Sequence, residues 1–147
     1  MRFVIAGATG FLGRALALRL ARDGHHVAAL VRDVTRARGL LGATPAVVAL
    51  ADDLAVTRAV HAADAVINLA GEGILDRRWT AARKAALRAS RIDLTRRLVD
   101  AIATRSRPLP ALVSASAIGW YGDRGDAIVD ETAAPGAGFA AELCRDW

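Results

Sequence analysis

A run of apolar residues, Phe3 to Ala6, breaks at a glycine, and two more glycines follow at a strict spacing of three: Gly7, Gly10 and Gly13. After the break the apolar pattern resumes as Leu12, Leu16 and Leu20, which is helical spacing. The opening therefore reads as a buried parallel strand, a tight turn and a helix. In such a unit Gly7 permits the sharp turn, Gly10 lets backbone approach a diphosphate, and Gly13 lets the helix pack closely on the strand. An anion can then rest on the free N–H groups of the first helical turn. A glycine triplet alone is a weak signal, but its place directly after a strand and at the head of a helix is the setting of a dinucleotide fingerprint. The cradle comprises Gly7, Ala8, Thr9, Gly10, Phe11, Leu12 and Gly13. A Walker-type phosphate loop is excluded, because no Gly-Lys-Ser/Thr follows and the only lysine in the chain is Lys84.

The 147 residues, 54% of them hydrophobic, suit one domain with a real core. No apolar run approaches the ~18 residues that span a bilayer, so the sequence predicts no membrane helix and a cytoplasmic setting. Cys144 is the single cysteine, which rules out an internal disulfide and a cysteine-cluster metal site; it reads as a small core residue. The net charge of +5 comes almost wholly from dispersed arginines without interleaved aromatics, so nucleic acid is not an expected partner.

Asp23-Gly24 stops the first helix, and His26 to Val31 supply a second strand. At the tip of that strand a dinucleotide fold meets the adenosine ribose, where an acid accepts from the 2′-hydroxyl and an arginine accommodates a 2′-phosphate. Arg32 stands at the tip and Asp33 one place later, which predicts NADP in preference to NAD. A short helix over Thr35–Leu41 closed by Gly42, a third strand over Pro45–Leu50, and Asp52-Asp53-Leu54 follow. A carboxylate here, Asp53, can contact the adenine amino group with Leu54 flanking the ring; equally, Asp52 can cap the helix that runs to about Ala62.

Ala65 to Leu69 form a fourth strand ending in Asn68-Leu69-Ala70-Gly71. The small residues predict a floor against which a ligand lies, with Asn68 either touching the ribose or pinning its own loop. The longest helix spans roughly Thr80 to Thr104, capped by Thr80, with Ile92, Leu94, Leu98, Val99 and Ile102 on a buried stripe. Its basic residues, among them Arg83, Lys84, Arg88, Arg91, Arg96 and Arg97, read as a solvated face from which one or two reach a phosphate. A fifth, central strand, Ala111 to Ala115, runs into Ser116 and Tyr121, whose hydroxyls are the best candidates for chemistry; the plainer alternatives are a turn hydrogen bond and a packing aromatic. A final helix starts at Gly138 after Pro135-Gly136.

Five strands alternating with helices define an α/β class, a doubly wound parallel sheet. Gly-Ala-Thr-Gly-Phe-Leu-Gly at 7–13 resembles the nucleotide motif of extended and atypical short-chain dehydrogenases/reductases. The whole chain is similar to the N-terminal half of epimerase-family proteins, through Asn68 to Gly71, Arg78-Trp79 with Ser90-Arg91-Ile92, Ser114 to Gly119, Tyr121-Gly122-Asp123, and Phe139 to Trp147. The resemblance implies an NAD(P)-binding Rossmann domain over 1–147, incomplete relative to the family because it stops before the substrate-binding region. It also implies a small-molecule substrate, Ser116 holding a substrate oxygen, Arg91 near a place where relatives carry asparagine, and self-association through the long helix and the next. The superfamily's usual tyrosine with a lysine four residues on is absent: Gly125 lies four places after Tyr121, and the customary positions fall near Phe139 and Leu143. That departure keeps open a non-catalytic, cofactor-binding sensor or structural module beside the oxidoreductase or epimerase reading.

Overall fold

The computed structural model describes residues 1–106, 108 and 110–147. Five parallel strands, β1 (Arg2–Ala6), β2 (His26–Val31), β3 (Ala46–Ala49), β4 (Ala65–Asn68) and β5 (Ala111–Ser114), lie in the order β3-β2-β1-β4-β5. Between them run α1 (Phe11–Arg22), α2 (Val34–Leu41), α3 (Asp53–Ala62) and α4 (Ala81–Ala103). A 3₁₀ turn, Ile118–Tyr121, and α5 (Phe139–Asp146) complete the chain. This is the doubly wound Rossmann arrangement, in which the strand order reverses beside β1.

The alternation of the strands decides which helices cover which face. Val4, Ala6, Leu30 and Val66 point to one side and pack with Val56 and Val60 of α3 and Leu98, Ala101 and Ile102 of α4. Ile5, Val27, Ala29, Val31 and Ile67 point to the other and meet Ala17 of α1 and Ala37 and Leu41 of α2. Residues such as Ile5 and Leu30, essentially inaccessible to solvent, each contribute about 1.5–3 kcal/mol through burial. Burial on both faces is why these strands read as apolar runs rather than as alternating patterns.

Helix starts follow the sequence closely. Asp33 accepts from the Arg36 amide at 2.9 Å, Asp52 from the Ala55 amide at 2.9 Å and Thr80 from the Arg83 amide at 3.2 Å. Each satisfies an amide that the first helical turn leaves without an intrahelical acceptor.

Three expectations need correction. The buried stripe of α4 is Leu87, Arg91, Leu98, Ala101 and Ile102, while Val99 is exposed; the helix is rotated so that its stripe passes through an arginine. Arg91 therefore leaves the solvated basic face to which it was assigned. Among the described residues β5 is an edge strand and not a central one, paired with β4 alone, and Leu112 and Val113 are open to solvent. Among the described residues no helix is long and apolar enough to cross a membrane, and no cluster of His, Cys, Asp and Glu is disposed to hold a metal.

Candidate nucleotide site

The carboxyl ends of β1, β2 and β4 converge on one cavity of about 580 Å3, inside the ~300–1,000 Å3 range of small-ligand sites. Its walls include Gly7, Thr9 and Gly10 from the first turn, Arg32 and Arg36 after β2, and Leu69, Ala70 and Gly71 after β4. The glycines behave as their spacing predicts. Gly7 adopts φ +82°, and a Cβ there would lie 2.7 Å from the Leu69 carbonyl, so this turn also lets the β1 and β4 tips touch. A Cβ on Gly13 would drive into the Gly7 carbonyl and stand 3.0 Å from the Ala8 Cα. Gly10 differs, because its Cβ would meet only the Gly7 oxygen at 3.3 Å and otherwise project into open space.

The start of α1 suits an anion. Gly10 is its N-cap without any side-chain cap, no acidic residue occupies the first turn, and Arg14 is the first residue to donate back along the helix, to the Gly10 carbonyl at 2.9 Å. The amides of residues 11–13 precede that bond and carry the positive end of the helix dipole. A diphosphate fits this cradle, since the missing Gly10 side chain leaves the space that it needs.

Other predicted residues take different places. Ala8 is fully buried beneath the loop, whereas Phe11 and Leu12 stand exposed at the outer edge of α1. Asp53 and Leu54 do not line the cavity. Asp53 pairs with Arg97 in the groove between α3 and α4, and Leu54 is exposed. The capping alternative holds for Asp52, and Leu50, just before it, lines the cavity. Asn68 is wholly buried, donating to Thr95 Oγ1 at 2.8 Å and accepting from the Ala70 amide at 3.3 Å, so it pins the floor.

Arg91 lies beneath Gly71, donating to the carbonyls of Glu72 at 3.0 Å and Leu87 at 3.3 Å, with its guanidinium over the Trp147 ring. A Cβ on Gly71 would come within 2.9 Å of that guanidinium. Burial pushes the Arg91 pKa down. It supports the floor and does not line the cavity. Ser116 is exposed just beyond β5, and Tyr121 is half-buried in the 3₁₀ turn; neither borders the cavity. Phe139 packs against Trp79, with Lys84 Nζ 5.2 Å from its ring centre.

The sequence reading missed Arg36, Glu72, Asp76 and Ser90, all on the cavity wall. Glu72 accepts from Arg32 at 2.6 Å and from Arg83 at 3.0 Å, and these two guanidinium groups hold its carboxyl below the ordinary carboxylate range. Arg36 was within reach of the sequence, one helical turn beyond Arg32; Glu72 pairs across 40 positions and left no local signal.

The family model described as "NAD dependent epimerase/dehydratase family" matches residues 3–142. The chain belongs to that family. Among curated relatives it is 37% identical to the "Epimerase family protein SDR39U1 homolog, chloroplastic" of Arabidopsis thaliana, covering 100% of this chain and 43% of the relative. It is 40% identical to the "Epimerase family protein Mb2239" of Mycobacterium bovis, covering 97% of this chain and 45% of the relative. This epimerase-family chain thus spans less than half the length of those relatives. The human epimerase family protein SDR39U1, solved with NADPH, superposes with a TM-score of 0.78 at 28% identity, over 100% of this chain and 47% of that one. A nucleoside-diphosphate sugar epimerase from Corynebacterium glutamicum gives 0.75 at 35% identity, over 100% and 29%.

Proposed function

We propose that this chain is the NADP-binding domain of an atypical short-chain oxidoreductase or epimerase, and that the full protein moves hydride at a hydroxyl or carbonyl carbon of a small substrate. The observation that carries the reading is the pair Arg32 and Arg36 on the wall after β2, with the Asp33 carboxylate turned into the helix start and bonded to the Arg36 amide. Two guanidinium groups suit a 2′-phosphate, whereas a ribose 2′-hydroxyl calls for a free acid at this place. The human relative solved with NADPH supports the same choice. The residues that would hold the cofactor are the amides at the start of α1 for the diphosphate, Ala70 and Gly71 beneath it, and Arg32 with Arg36 at the phosphorylated ribose. When bound, the nicotinamide supplies the hydride acceptor or donor.

Ser116, at the carboxyl edge of the sheet, would hold the substrate oxygen. The Tyr121 hydroxyl, which makes no hydrogen bond among the described residues, would pass a proton. With Gly125 four places after Tyr121, this relay lacks the ammonium partner that the superfamily's tyrosine has. A cofactor-binding sensor without turnover is the second reading, and that missing lysine favours it. A cytoplasmic setting, and pairing of two copies through α4 and α5, belong to the same proposal.

Titration with NADPH and NADH by fluorescence tests the cofactor. Arg32→Ala weakens NADPH binding by about tenfold or more, the worth of one charge-assisted hydrogen bond, and does not weaken NADH. Tighter binding of NADH by the unsubstituted chain, or no NADPH loss in the variant, overturns the reading. A turnover screen of a full-length relative with carbonyl compounds separates enzyme from sensor: activity that survives Ser116→Ala and Tyr121→Phe removes those residues from the mechanism.

A further inference from the structure

The Arg32–Glu72 pair joins two elements that are not neighbours. Arg32 follows β2, Glu72 follows β4, and β1 lies between those strands. The pair therefore passes over the carboxyl end of β1, above the Gly7 and Gly10 loop that floors the same cavity. Its two ends are unequally fixed. On one side Glu72 is also bonded to Arg83, whose side chain is only 11% exposed and whose guanidinium donates as well to the Gly73 carbonyl. On the other, the Arg32 side chain is 80% exposed. One end is an anchored catch and the other a free arm. The carboxyl of Glu72, held below its ordinary range chiefly by the Arg32 hydrogen bond, stays ionised at neutral pH.

We infer that Glu72 sets the cost of cofactor entry: it holds Arg32 in a strap across the dinucleotide trough, which a bound cofactor must open and for which only a 2′-phosphate offers Arg32 an equivalent anion. Opening leaves Glu72 on Arg83. With NADPH, Arg32 exchanges a carboxylate for a phosphate. With NADH the broken pair has no replacement, so an opening cost common to both cofactors is recovered only by the phosphorylated one. This inference rests on the NADP reading given above, yet its signature is separate.

The experiment is a cycle of NADH and NADPH titrations on the 147-residue chain and its Glu72→Gln, Arg32→Ala and doubly substituted forms. Glu72→Gln tightens NADH and NADPH alike, by about two- to fivefold, the range of an exposed ion pair. On the Arg32→Ala background Glu72→Gln has no further effect, because the strap is already gone. Glu72→Asp keeps the charge but shortens the reach from the Arg83 anchor to Arg32, and it tightens NADH as well; it serves where the glutamine variant folds poorly. Unchanged or weakened NADH binding in both Glu72 variants overturns the strap. So does equal tightening with and without Arg32, which is the signature of a charge simply removed from beside the diphosphate. Failure of the NADP reading shows instead in NADPH binding by Arg32→Ala.

Discussion

Replacing Gly13 by alanine tests the close approach of α1 to β1 on which the cradle depends. The added methyl would stand 2.8 Å from the Gly7 carbonyl carbon and 3.0 Å from the Ala8 Cα, and its nearest neighbour, the Gly7 oxygen, is closer still. These are backbone atoms, which cannot rotate aside. Ordinary contact begins at 3.4 Å, so the head of the helix must retreat by more than an ångström from the Gly7 oxygen. Overpacking of this kind costs about 1–3 kcal/mol, against which alanine recovers up to about 1 kcal/mol through its better helix propensity. Because the clash is with backbone and well inside contact distance, the cost falls at about 2–3 kcal/mol. The net expectation is a loss of about 1–2 kcal/mol, seen as a fall of roughly 3–8 °C in melting temperature for a domain of this size.

Because the same displacement carries the amides of residues 11–13 away from the diphosphate, cofactor affinity falls with stability. Gly10→Ala separates the two effects: its methyl meets only one protein atom, at 3.3 Å, and otherwise enters the trough. It leaves the melting temperature within about 2 °C while weakening cofactor binding at least tenfold. Thermal melts and NADPH fluorescence titrations on both variants decide the matter. A Gly13→Ala protein that melts and binds like the unsubstituted one refutes the packing argument, and a Gly10→Ala protein with undiminished affinity refutes the placement of the diphosphate.

Asn68→Ala removes the buried amide that ties β4 to Thr95 and Ala70, and costs about 1–3 kcal/mol in urea denaturation; a loss below the error of the titration would mean that the floor is held elsewhere. The Glu72 carboxyl has a lowered pKa in the folded chain, so its pairing stabilises above the unfolded-state value and is lost as pH falls through the lower, folded one. The difference in melting temperature between the unsubstituted chain and Glu72→Gln is therefore full at about pH 7 and shrinks as the solution is acidified below the ordinary carboxylate range. A difference that persists in acid would show that the carboxylate's charge is not its source.

The parts of the molecule legible in the sequence are those whose causes are local. Gly7, Gly10 and Gly13 announce themselves because turn, cradle and helix contact all arise within seven residues, and Asp52 and Thr80 cap helices whose starts they mark. Residues whose roles come from distant partners were not legible. Arg91 looks like one more surface arginine until α4 is laid on the sheet, where the carbonyls of Leu87 and Glu72 receive it. Glu72 had no visible part at all, since its two partners arrive from the end of β2 and the first turn of α4. Val99 failed for a subtler reason: the apolar periodicity of α4 is diluted by arginines, and the phase of its buried face is set by the sheet beneath and not by the helix alone. Asp53 and Leu54 were assigned to adenine from their place after β3, but α3 begins there and turns Asp53 toward Arg97.

The Thr95 hydroxyl accepts both from the Asn68 amide, at 2.8 Å, and from the Trp147 indole, at 3.1 Å. The trough's floor and an indole on the far helix thus share one oxygen atom, and that ring also faces the Arg91 guanidinium beneath Gly71. Trp147 is consequently an intrinsic optical probe wired to that floor, read by its emission once Trp79 and Trp120 are replaced by phenylalanine.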